Sequence, residues 1–281
     1  MLIYVIIPVY NRIFETKKVI NCLRKQTLIK KLKLIVVDDG STDETRIWLE
    51  KQADIQTIKG NGSLFWGGAI NIALKTIFKN CQINEWVVLL NNDIEIKKNY
   101  IETLLKTAKS NYPSVIGSII KKKNNEIVSI GPKIISEKFK IEDLYHQNFI
   151  SKNLEIIKNV DALSGRGVIY PIKSLLEVKG MRPLFFPHYL ADYELSLRVG
   201  RKGYNLMISM DAVVYTDEDF ELIRHQRKKQ NFIFNLFSKK STSLFYSKIL
   251  FWWEASNNKE RISLPFRIIK FIIYSVLRKL L

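Results

Sequence analysis

Short, nearly unbroken apolar runs alternate with segments of helical periodicity through the first 110 residues of the chain. The runs at residues 2–8, 32–37 and 86–90 show almost no polar alternation, which is typical of strands buried on both faces of a sheet. Buried strands that alternate with helices predict a parallel sheet with right-handed crossovers. The pattern therefore predicts an α/β fold with a mostly parallel, Rossmann-type sheet flanked by helices.

The predicted elements are regular in the first half of the chain and irregular in the second. Strands are predicted over residues 2–8, 32–37, 55–58 and 86–90, and helices over residues 15–26, 43–51 (capped near Ser41 or Thr42), 69–78 and 99–109. Further strands are predicted over residues 115–120, 126–130, 162–170 and 206–209, with a helix over 193–201 and an irregular polar loop over 133–158. The pattern offers no linker, so one α/β domain is predicted over residues 1–220.

Basic residues are concentrated in the remaining segment, residues 221–281. From Arg224 onward thirteen Lys and Arg oppose two acids, which accounts for +11 of the net charge of +18. A last helix is predicted over residues 265–281, with isoleucines on one face and Arg267 and Arg278 opposite. It is too short and too charged to span a bilayer, which takes about 20 apolar residues. The pattern favours a basic amphipathic tail on an anionic membrane surface; the alternative is a helix packed on the domain or on a second subunit.

The overall composition excludes several classes of protein. At 47% apolar residues the chain is neither disordered nor fibrous, and its charge of +18 points to phosphates, nucleic acid or an anionic membrane as partners. The two cysteines, Cys22 and Cys81, make no disulfide framework and fit a reducing compartment. The apolar N-terminal run has no basic region before it, so it is interpreted as a strand and not a signal peptide. We expect a cytoplasmic protein, peripheral on the inner face of the membrane.

Polar residues follow three of the predicted strands. Residues 10–12 follow the first strand, Asp38 and Asp39 end the second, and residues 91–93 follow the fourth. Ligands of open parallel sheets bind in the crevice outside the carboxyl ends of the strands. A buried sheet gives no structural reason for acids at these ends, so we expect the side chains to contact a ligand.

Several segments, taken together, resemble one family. They are residues 7–12 (Ile-Pro-Val-Tyr-Asn-Arg), 36–43, 60–71, 91–93 (Asn-Asn-Asp), 164–167 (Ser-Gly-Arg-Gly) and 188–198. In order and spacing, over roughly residues 1–215, they resemble family 2 inverting glycosyltransferases of the GT-A fold. The segment at residues 60–71 is similar to the branch that includes rhamnosyl- and galactosyltransferases of surface polysaccharides.

The resemblance implies a nucleoside-diphosphate sugar of UDP or TDP type as donor. It implies that Asp38 and Asp39 contact the base and ribose, since carboxylates accept hydrogen bonds from imide and hydroxyl groups. The further positions that it assigns to the donor are Pro8, Tyr10, Asn71, Asn92 and Arg166. The alternatives are a turn with a helix cap for the paired aspartates and a solvated turn residue for Arg166. The implied acceptor is a cell-envelope polysaccharide or a lipid-linked oligosaccharide.

The resemblance also implies a metal site at residues 91–93, with Asn91 in place of the commoner first Asp. Asp93 is the candidate ligand of Mg²⁺ or Mn²⁺, hard cations that take oxygen ligands and can share one carboxylate with phosphate oxygens. The alternative is a polar turn after a strand. Many members of the family carry a late histidine near the metal, whereas residues 213–217 contain none, so a third ligand stays unassigned.

Asp192 is the candidate catalytic base. An inverting transfer needs one carboxylate to take the proton of the acceptor hydroxyl, and the resemblance places that base at the start of a helix. Many relatives carry an acid immediately before the base, where this chain has Ala191. Glu194 is the second candidate, and the alternative for Asp192 is a plain helix cap.

Three other classes of protein compete with this interpretation. A sugar nucleotidyltransferase would carry a glycine- and arginine-rich phosphate loop after the first strand, and residues 8–14 lack one. A nucleic-acid-binding protein would explain the charge but not acids at strand ends, so no nucleic acid is expected. A catalytically inactive scaffold that binds nucleotide sugars has the same sequence pattern and stays an alternative.

Overall fold

One mixed sheet of ten strands forms the centre of the computed structural model, which describes residues 1–147, 154–158, 160–217, 238 and 244–280. With a separate hairpin of two strands, the described residues form twelve strands: β1 (Ile3–Val9), β2 (Leu32–Asp38), β3 (Ile55–Lys59), β4 (Trp86–Leu89), β5 (Ile94–Ile96), β6 (Ser114–Lys122), β7 (Ile127–Ser129), β8 (Pro132–Ile135), β9 (Lys140–Asp143), β10 (Ile156–Lys158), β11 (Val168–Pro171) and β12 (Asn205–Thr216). The helices are α1 (Ile13–Arg24), α2 (Thr45–Glu50), α3 (Phe65–Phe78), α4 (Tyr100–Ser110), α5 (Ile172–Glu177), α6 (Ala191–Arg201), α7 (Phe245–Ala255) and α8 (Asn258–Leu280), with short 3₁₀ turns at Ile29–Lys31, Ser136–Lys138 and Leu144–Gln147.

The sheet runs in the order β10-β12-β6-β11-β4-β1-β2-β3, with β5 paired to β12 and β7 to β6, while β8 and β9 form a separate hairpin. The half formed by β4, β1, β2 and β3 is parallel, as the buried apolar runs predict. Beside it β11 runs antiparallel between β4 and β6. The predicted α/β class is confirmed, and β5, β7, β10 and β11 each run antiparallel to a neighbour in the sheet.

Helices cover both faces of the sheet, and alternate residues of each strand enter opposite cores. Along β1, Ile3, Val5 and Ile7 pack in the core on the side of α1 and α4. Tyr4 and Ile6 pack in the other core, with residues of α3 and α6. All five side chains are buried. Burial on both faces fixes the strand register, so the strand ends that carry polar residues are fixed as well.

The starts of α2 and α3 differ from the predicted ones, and the structure shows why. The helix α2 begins at Thr45 and is not capped by Ser41 or Thr42, because both of these residues bond to Asn11. Asp43 accepts the Thr45 N–H instead, at 3.0 Å. The helix α3 begins at Phe65, four residues before the predicted start. The reason is that the Asp39 carboxylate accepts the backbone N–H groups at this end of the helix.

The second half of the chain departs further from the prediction. The predicted strand over residues 162–170 is a loop up to Gly167, and only β11 follows it. The predicted loop over residues 133–158 contains β8, β9 and β10, and β12 extends well beyond the predicted residues 206–209. The three-residue strand β5 was not predicted, and its pairing with the end of β12 holds the residues just after Asp93.

The predicted domain boundary at residue 220 lies outside the described residues. Beyond it, α7 packs on α6, and Phe251, Trp252 and Leu264 belong to the same core as the sheet. An ion pair between Arg182 and Glu254 (2.9 Å) joins the loop before α6 to α7. The helix α8 begins seven residues before the predicted start at residue 265. The first part of the C-terminal segment is therefore docked on the α/β domain.

The docked helices leave an apolar surface exposed to solvent. Ile262, Phe266 and Ile269 follow one another at helical spacing on α8 and are 80%, 77% and 55% exposed, beside the half-exposed Trp253 of α7. The opposite side of α8 faces the domain: Leu264 is buried, and the Arg267 guanidinium lies 4.9 Å from the centre of the Phe139 ring. Among the described helices none is both long and apolar enough to cross a bilayer.

Candidate active site

Three adjacent parallel strands end at one edge of the sheet, and all three carry the predicted polar residues. In the order β4-β1-β2, residues 91–93, 10–12 and 38–39 follow or end these strands. The strand β11 runs antiparallel to β4, with Val168 opposite Leu89. The loop before β11, residues 164–167, therefore lies at the same edge. The fold thus brings four of the predicted motif segments together.

Asp38 is fully buried at the end of β2, and both of its carboxylate oxygens are occupied. Its Oδ1 accepts the Ser41 N–H at 2.9 Å, and its Oδ2 accepts from Arg46 Nε at 2.9 Å. Removal of Arg46 would leave a buried charge without its counter-ion, which is costly. The hydrogen bonds of Asp38 therefore stabilise the chain at the end of β2.

Asp39 organises the loop between β3 and α3. Its Oδ1 accepts the N–H groups of Gly62 (2.9 Å) and Leu64 (3.1 Å), and its Oδ2 accepts the Phe65 N–H at 2.9 Å. Hydrogen bonds to an ionised carboxylate are stronger than hydrogen bonds between two neutral groups. Asp39 is 7% exposed and lies beside the crevice. Its hydrogen bonds fix the first turn of α3.

The residues at the end of β1 differ in accessibility. Pro8 is half-buried and lies opposite Val37 of β2. Tyr10 is 50% exposed and stands at the mouth of the crevice. Asn11 adopts a φ of 49° and its side chain accepts the Thr42 N–H at 2.7 Å. This bond holds the ends of β1 and β2 together and leaves the Tyr10 ring toward solvent.

Asp93 is the least satisfied carboxylate of the crevice. Its Oδ2 accepts a hydrogen bond from Arg12 Nη1 at 3.0 Å, and 11% of its side chain is exposed. Among the described residues its Oδ1 is buried and has no hydrogen-bond partner. A buried acceptor left without a partner costs about 1–3 kcal/mol, and more when it is charged. Sequence reasoning did not find the Arg12 contact, although Arg12 stands in the motif after β1.

The two asparagines before Asp93 face neighbours in the protein. Asn92 is buried, and its amide donates to Thr16 Oγ1 at 3.2 Å. Asn91 accepts the indole N–H of Trp66 at 3.0 Å. Both amides therefore fix the loop that carries Asp93, and neither was expected to contact these partners.

The surroundings of Asp93 fit a divalent cation with few protein ligands. The unpartnered buried oxygen is a hard anionic donor of the kind that Mg²⁺ and Mn²⁺ take. No cluster of three or more His, Cys, Asp or Glu exists in the described part of the chain. A cation here would need phosphate oxygens and water to complete its coordination, as one carboxylate is all that the described loop supplies.

Asp192 lies in the first turn of α6 and is bound to the loop before β11. Its Oδ2 accepts the Gly165 N–H and its Oδ1 accepts the Tyr193 N–H, both at 2.9 Å. The loop is also tied to β4, because the Gly167 N–H donates to Leu89 O at 3.0 Å. Asp192 is thereby attached to the strand that leads to residues 91–93.

The environment of Asp192 suits a general base. Burial raises the pKa of its carboxyl above the ordinary value; the N–H groups of Gly165 and Tyr193 and the charge of Arg166 oppose this rise without cancelling it. A carboxylate with a raised pKa accepts a proton more readily near neutral pH. Over the whole residue Asp192 is partly exposed to solvent.

The second candidate base, Glu194, is occupied elsewhere. It is completely buried and forms a bidentate pair with Arg198, with distances of 2.6 and 2.9 Å, and a contact of 3.2 Å with Arg182. Arg198 in turn donates to two backbone carbonyls, those of Val178 and Gly180. This network anchors α6, and it leaves Asp192 as the acid of this helix that faces the crevice.

Asn71 lies apart from the strand ends. It is on the outer side of α3, in a shallow groove of about 300 Å³ between this helix and the loop that precedes α6. Lys75, Leu184 and Pro187 line the same groove. Of the predicted donor positions, Asn71 is the one that the structure does not bring together with the others.

The chain belongs to the Glycosyl transferase family 2, whose model matches residues 4–167, more than half of the sequence. The matched region contains β1 to β4, the loop that carries Asp93 and the Gly165 loop. The strand ends that form the crevice lie within this matched region, and Asp192 lies beyond it. The rhamnosyl and galactosyl branch stays a prediction.

Individual relatives agree with the family and the fold. An uncharacterized glycosyltransferase of Mycoplasma pneumoniae, a homologue of MG060, is 32% identical over 124 residues, which are 41% of this chain and 40% of that protein. A mannosyltransferase of Pyrobaculum calidifontis, solved with GDP-Man and Mn²⁺, superposes with a TM-score of 0.59 at 17% identity, over 80% of this chain and 59% of that one.

Two further solved structures have the same fold. TarS of S. aureus superposes with a TM-score of 0.57 at 17% identity, over 91% of this chain and 43% of that one. GalNAc-T7, solved with UDP, GalNAc and Mn²⁺, gives a TM-score of 0.61 at 14% identity, over 76% of this chain and 43% of that one. The chain thus spans about two fifths to three fifths of the proteins named here.

The raised pKa of Asp192 makes stability depend on pH. The folded state holds this proton more tightly than the unfolded chain, so stability falls as pH rises above the ordinary Asp pKa of about 4. Asp192→Asn resembles the protonated carboxyl and does not titrate. We expect the variant to gain in unfolding free energy relative to wild type from pH 4 upward, until the raised pKa is passed. Urea denaturation between pH 3 and 8 measures the difference.

Asp43→Asn is a control of opposite sign. Burial raises the pKa of Asp43, but the hydrogen bonds from Thr45 and Ile13 outweigh it and lower the pKa. The unfolding free energy of this variant should fall relative to that of wild type as pH rises toward about 4. Above that pH the difference should stay constant. A difference between wild type and Asp192→Asn that does not change with pH would contradict the raised pKa of Asp192.

Proposed function

We propose that the chain transfers a sugar, with inversion, from a nucleoside-diphosphate donor to a hydroxyl of a cell-envelope polysaccharide or a lipid-linked oligosaccharide. The observation that carries the proposal is the placement of two dissimilar carboxylates at one edge of the sheet. Asp93 has a buried oxygen with no partner in the described part of the chain, and Asp192 has a raised pKa and a contact with the Gly165 loop. One suits the binding of a cation, the other the uptake of a proton.

The donor would lie across the ends of β1, β2 and β4. We assign the exposed ring of Tyr10 to the base or ribose and the backbone beside Pro8 to the walls of that pocket. Asp38, Asp39 and Asn92 shape the same pocket through their hydrogen bonds, and Asp39 keeps one edge toward the nucleoside. Asp93 would hold a divalent cation, which would supply neutralisation of the diphosphate charge. Arg12, 3.0 Å from Asp93, adds positive charge at the same place.

Asp192 would perform the proton transfer. The acceptor oxygen forms its bond to the anomeric carbon from the face opposite the diphosphate, and the bond from that carbon to the diphosphate oxygen breaks. Asp192 takes the hydroxyl proton, and the products are a glycoside of inverted configuration and a nucleoside diphosphate. Arg166, whose charge favours ionised Asp192, keeps the base in the form that accepts the proton.

Donor binding tests the metal site directly. We expect one of UDP, TDP and GDP to bind in calorimetric titrations, at least tenfold more tightly with Mn²⁺ or Mg²⁺ than with EDTA. Asp93→Ala should remove the dependence on metal, because the buried oxygen is lost, whereas Asp211→Ala, an exposed aspartate of β12, should not. If none of the three nucleotides binds wild type, the assignment of a nucleoside-diphosphate donor is wrong. Equal metal dependence in wild type and Asp93→Ala would contradict the assignment of Asp93.

The C-terminal helices support a peripheral membrane location. Their exposed apolar surface, formed by Trp253, Ile262, Phe266 and Ile269, faces away from the domain. In water alone a docked amphipathic helix would bury such residues against the domain. The surrounding chain is strongly basic, which favours an anionic lipid surface as the partner of this face. We therefore propose that this surface holds the enzyme at the inner face of the membrane, where lipid-linked acceptors are found.

Vesicle binding tests the membrane proposal. We expect wild type to sediment with vesicles of phosphatidylcholine and phosphatidylglycerol, and Ile262→Asp/Phe266→Asp to bind at least tenfold more weakly, since two apolar anchors are replaced by charges of the wrong sign. Ile47→Asp/Ile83→Asp changes two comparably exposed isoleucines outside the tail and should bind like wild type. Equal binding by the two double variants would contradict the proposal.

A further inference from the structure

Trp66 connects the two halves of the proposed site. Its indole N–H donates to Asn91 Oδ1 at 3.0 Å, on the loop that carries Asp93. Its six-membered ring lies against the backbone of Gly165, where an added Cβ would come within 2.2 Å of Trp66 Cζ2. The Gly165 N–H is in turn bonded to Asp192 Oδ2 at 2.9 Å. One side chain therefore touches both the loop of the candidate metal ligand and the loop that holds the candidate base.

Asn91 is explained by the same contact. A neutral carbonyl oxygen is sufficient to accept the indole N–H, and an amide adds no negative charge to the crevice. The residue thus serves to hold Trp66. Asp93 is left as the carboxylate of this loop with an unsatisfied oxygen.

Glycine is required at position 165 because of the Trp66 ring and not because of the backbone conformation. Its φ lies outside the left-handed region, unlike that of Gly167 at 109°, so its own backbone could carry an alanine without strain. The space for the methyl group is filled by the Trp66 ring. A loop of two glycines and Ser164 has little stiffness of its own, so an external contact is needed to set its position.

We propose that Trp66 is a positioning residue that sets the distance between the Asp93 loop and Asp192 by bonding to Asn91 and packing on Gly165. The effect of Trp66 on catalysis rests on the proposed function, in which Asp192 is the base. We assign Trp66 to the alignment of the base and not to stacking on a sugar. The contacts with Asn91 and Gly165 are geometric and stand independently of the reaction.

The first experiment compares Trp66→Phe with Trp48→Phe, a partly buried tryptophan of α2. Trp66→Phe keeps an aromatic ring but loses the N–H and part of the contact with Gly165. We expect the release of nucleoside diphosphate from a bound nucleotide sugar, with water as acceptor, to slow about tenfold, the equivalent of one hydrogen bond. The Kd of the donor nucleotide should stay within twofold, and Trp48→Phe should match wild type in both.

A second readout does not depend on turnover. The Asp192 carboxyl can be titrated by ¹³C NMR in protein labelled at aspartate and assigned with Asp192→Asn. The charged and titratable groups that interact with it are Arg166 on the loop, Tyr170 on β11 and Tyr193 on α6. None of them is changed in Trp66→Phe. If the Gly165 N–H is displaced, the ionised form loses a hydrogen bond, so the titration should move to higher pH.

A double-mutant cycle tests the contact itself. Gly165→Ala should slow donor hydrolysis in wild type because its methyl group displaces the ring. The same substitution in Trp66→Ala, where the space is open, should cost less than twofold. Gly200→Ala is the control, since a Cβ at this glycine of α6 meets side-chain atoms at an ordinary 3.4 Å. Far-UV circular dichroism and thermal melting show which variants are folded.

Three results would overturn the inference. Unchanged hydrolysis and an unchanged Asp192 titration in Trp66→Phe would show that the ring positions nothing. A loss of donor affinity as large as the loss of rate would place Trp66 on the donor. An equal cost of Gly165→Ala in both backgrounds would exclude the contact. If wild type binds no nucleotide and hydrolyses no nucleotide sugar, the proposed function fails, and the Asp192 titration still decides whether Trp66 positions the carboxyl.

Discussion

The hydrogen bonds that Asp39 accepts are the constraint on which the geometry of the site depends. Its two oxygens hold Gly62, Leu64 and Phe65, and so fix where α3 begins. The start of α3 places Trp66, which reaches both Asn91 and Gly165. Gly165 then binds Asp192. A residue expected to contact the nucleotide is therefore also the first support of the candidate base on the other side of the crevice.

The sheet supplies the frame for these contacts. A slip of one residue along a strand buried on both faces would exchange its packing partners in both cores and draw its polar end into the apolar sheet, so the strand ends are fixed relative to one another. The antiparallel strand β11 brings a later part of the chain back to the end of β4. The docked helix α7 packs on α6, and α7 and α8 present apolar residues to solvent. The same arrangement joins the candidate active site to the candidate membrane surface.

Local patterns were sufficient for the first half of the fold. Unbroken apolar runs predicted β1, β2 and β4, because burial on both faces leaves a strong signal. The three-residue strand β5 was missed, since its stability comes from β12, more than a hundred residues away in the sequence. The contacts of Asn91 with Trp66 and of Arg12 with Asp93 were missed for the same reason: no periodicity relates residues whose proximity is set by strand order.

The pH dependence of donor hydrolysis in wild type and Asp192→Asn tests the central claim most directly. With the nucleotide sugar whose nucleotide binds, wild-type kcat should fall as pH decreases through the raised pKa of Asp192. Asp192→Asn should bind the donor as tightly as wild type and hydrolyse it at least about a hundredfold more slowly at every pH. A variant that binds the donor normally and retains wild-type turnover would contradict the account.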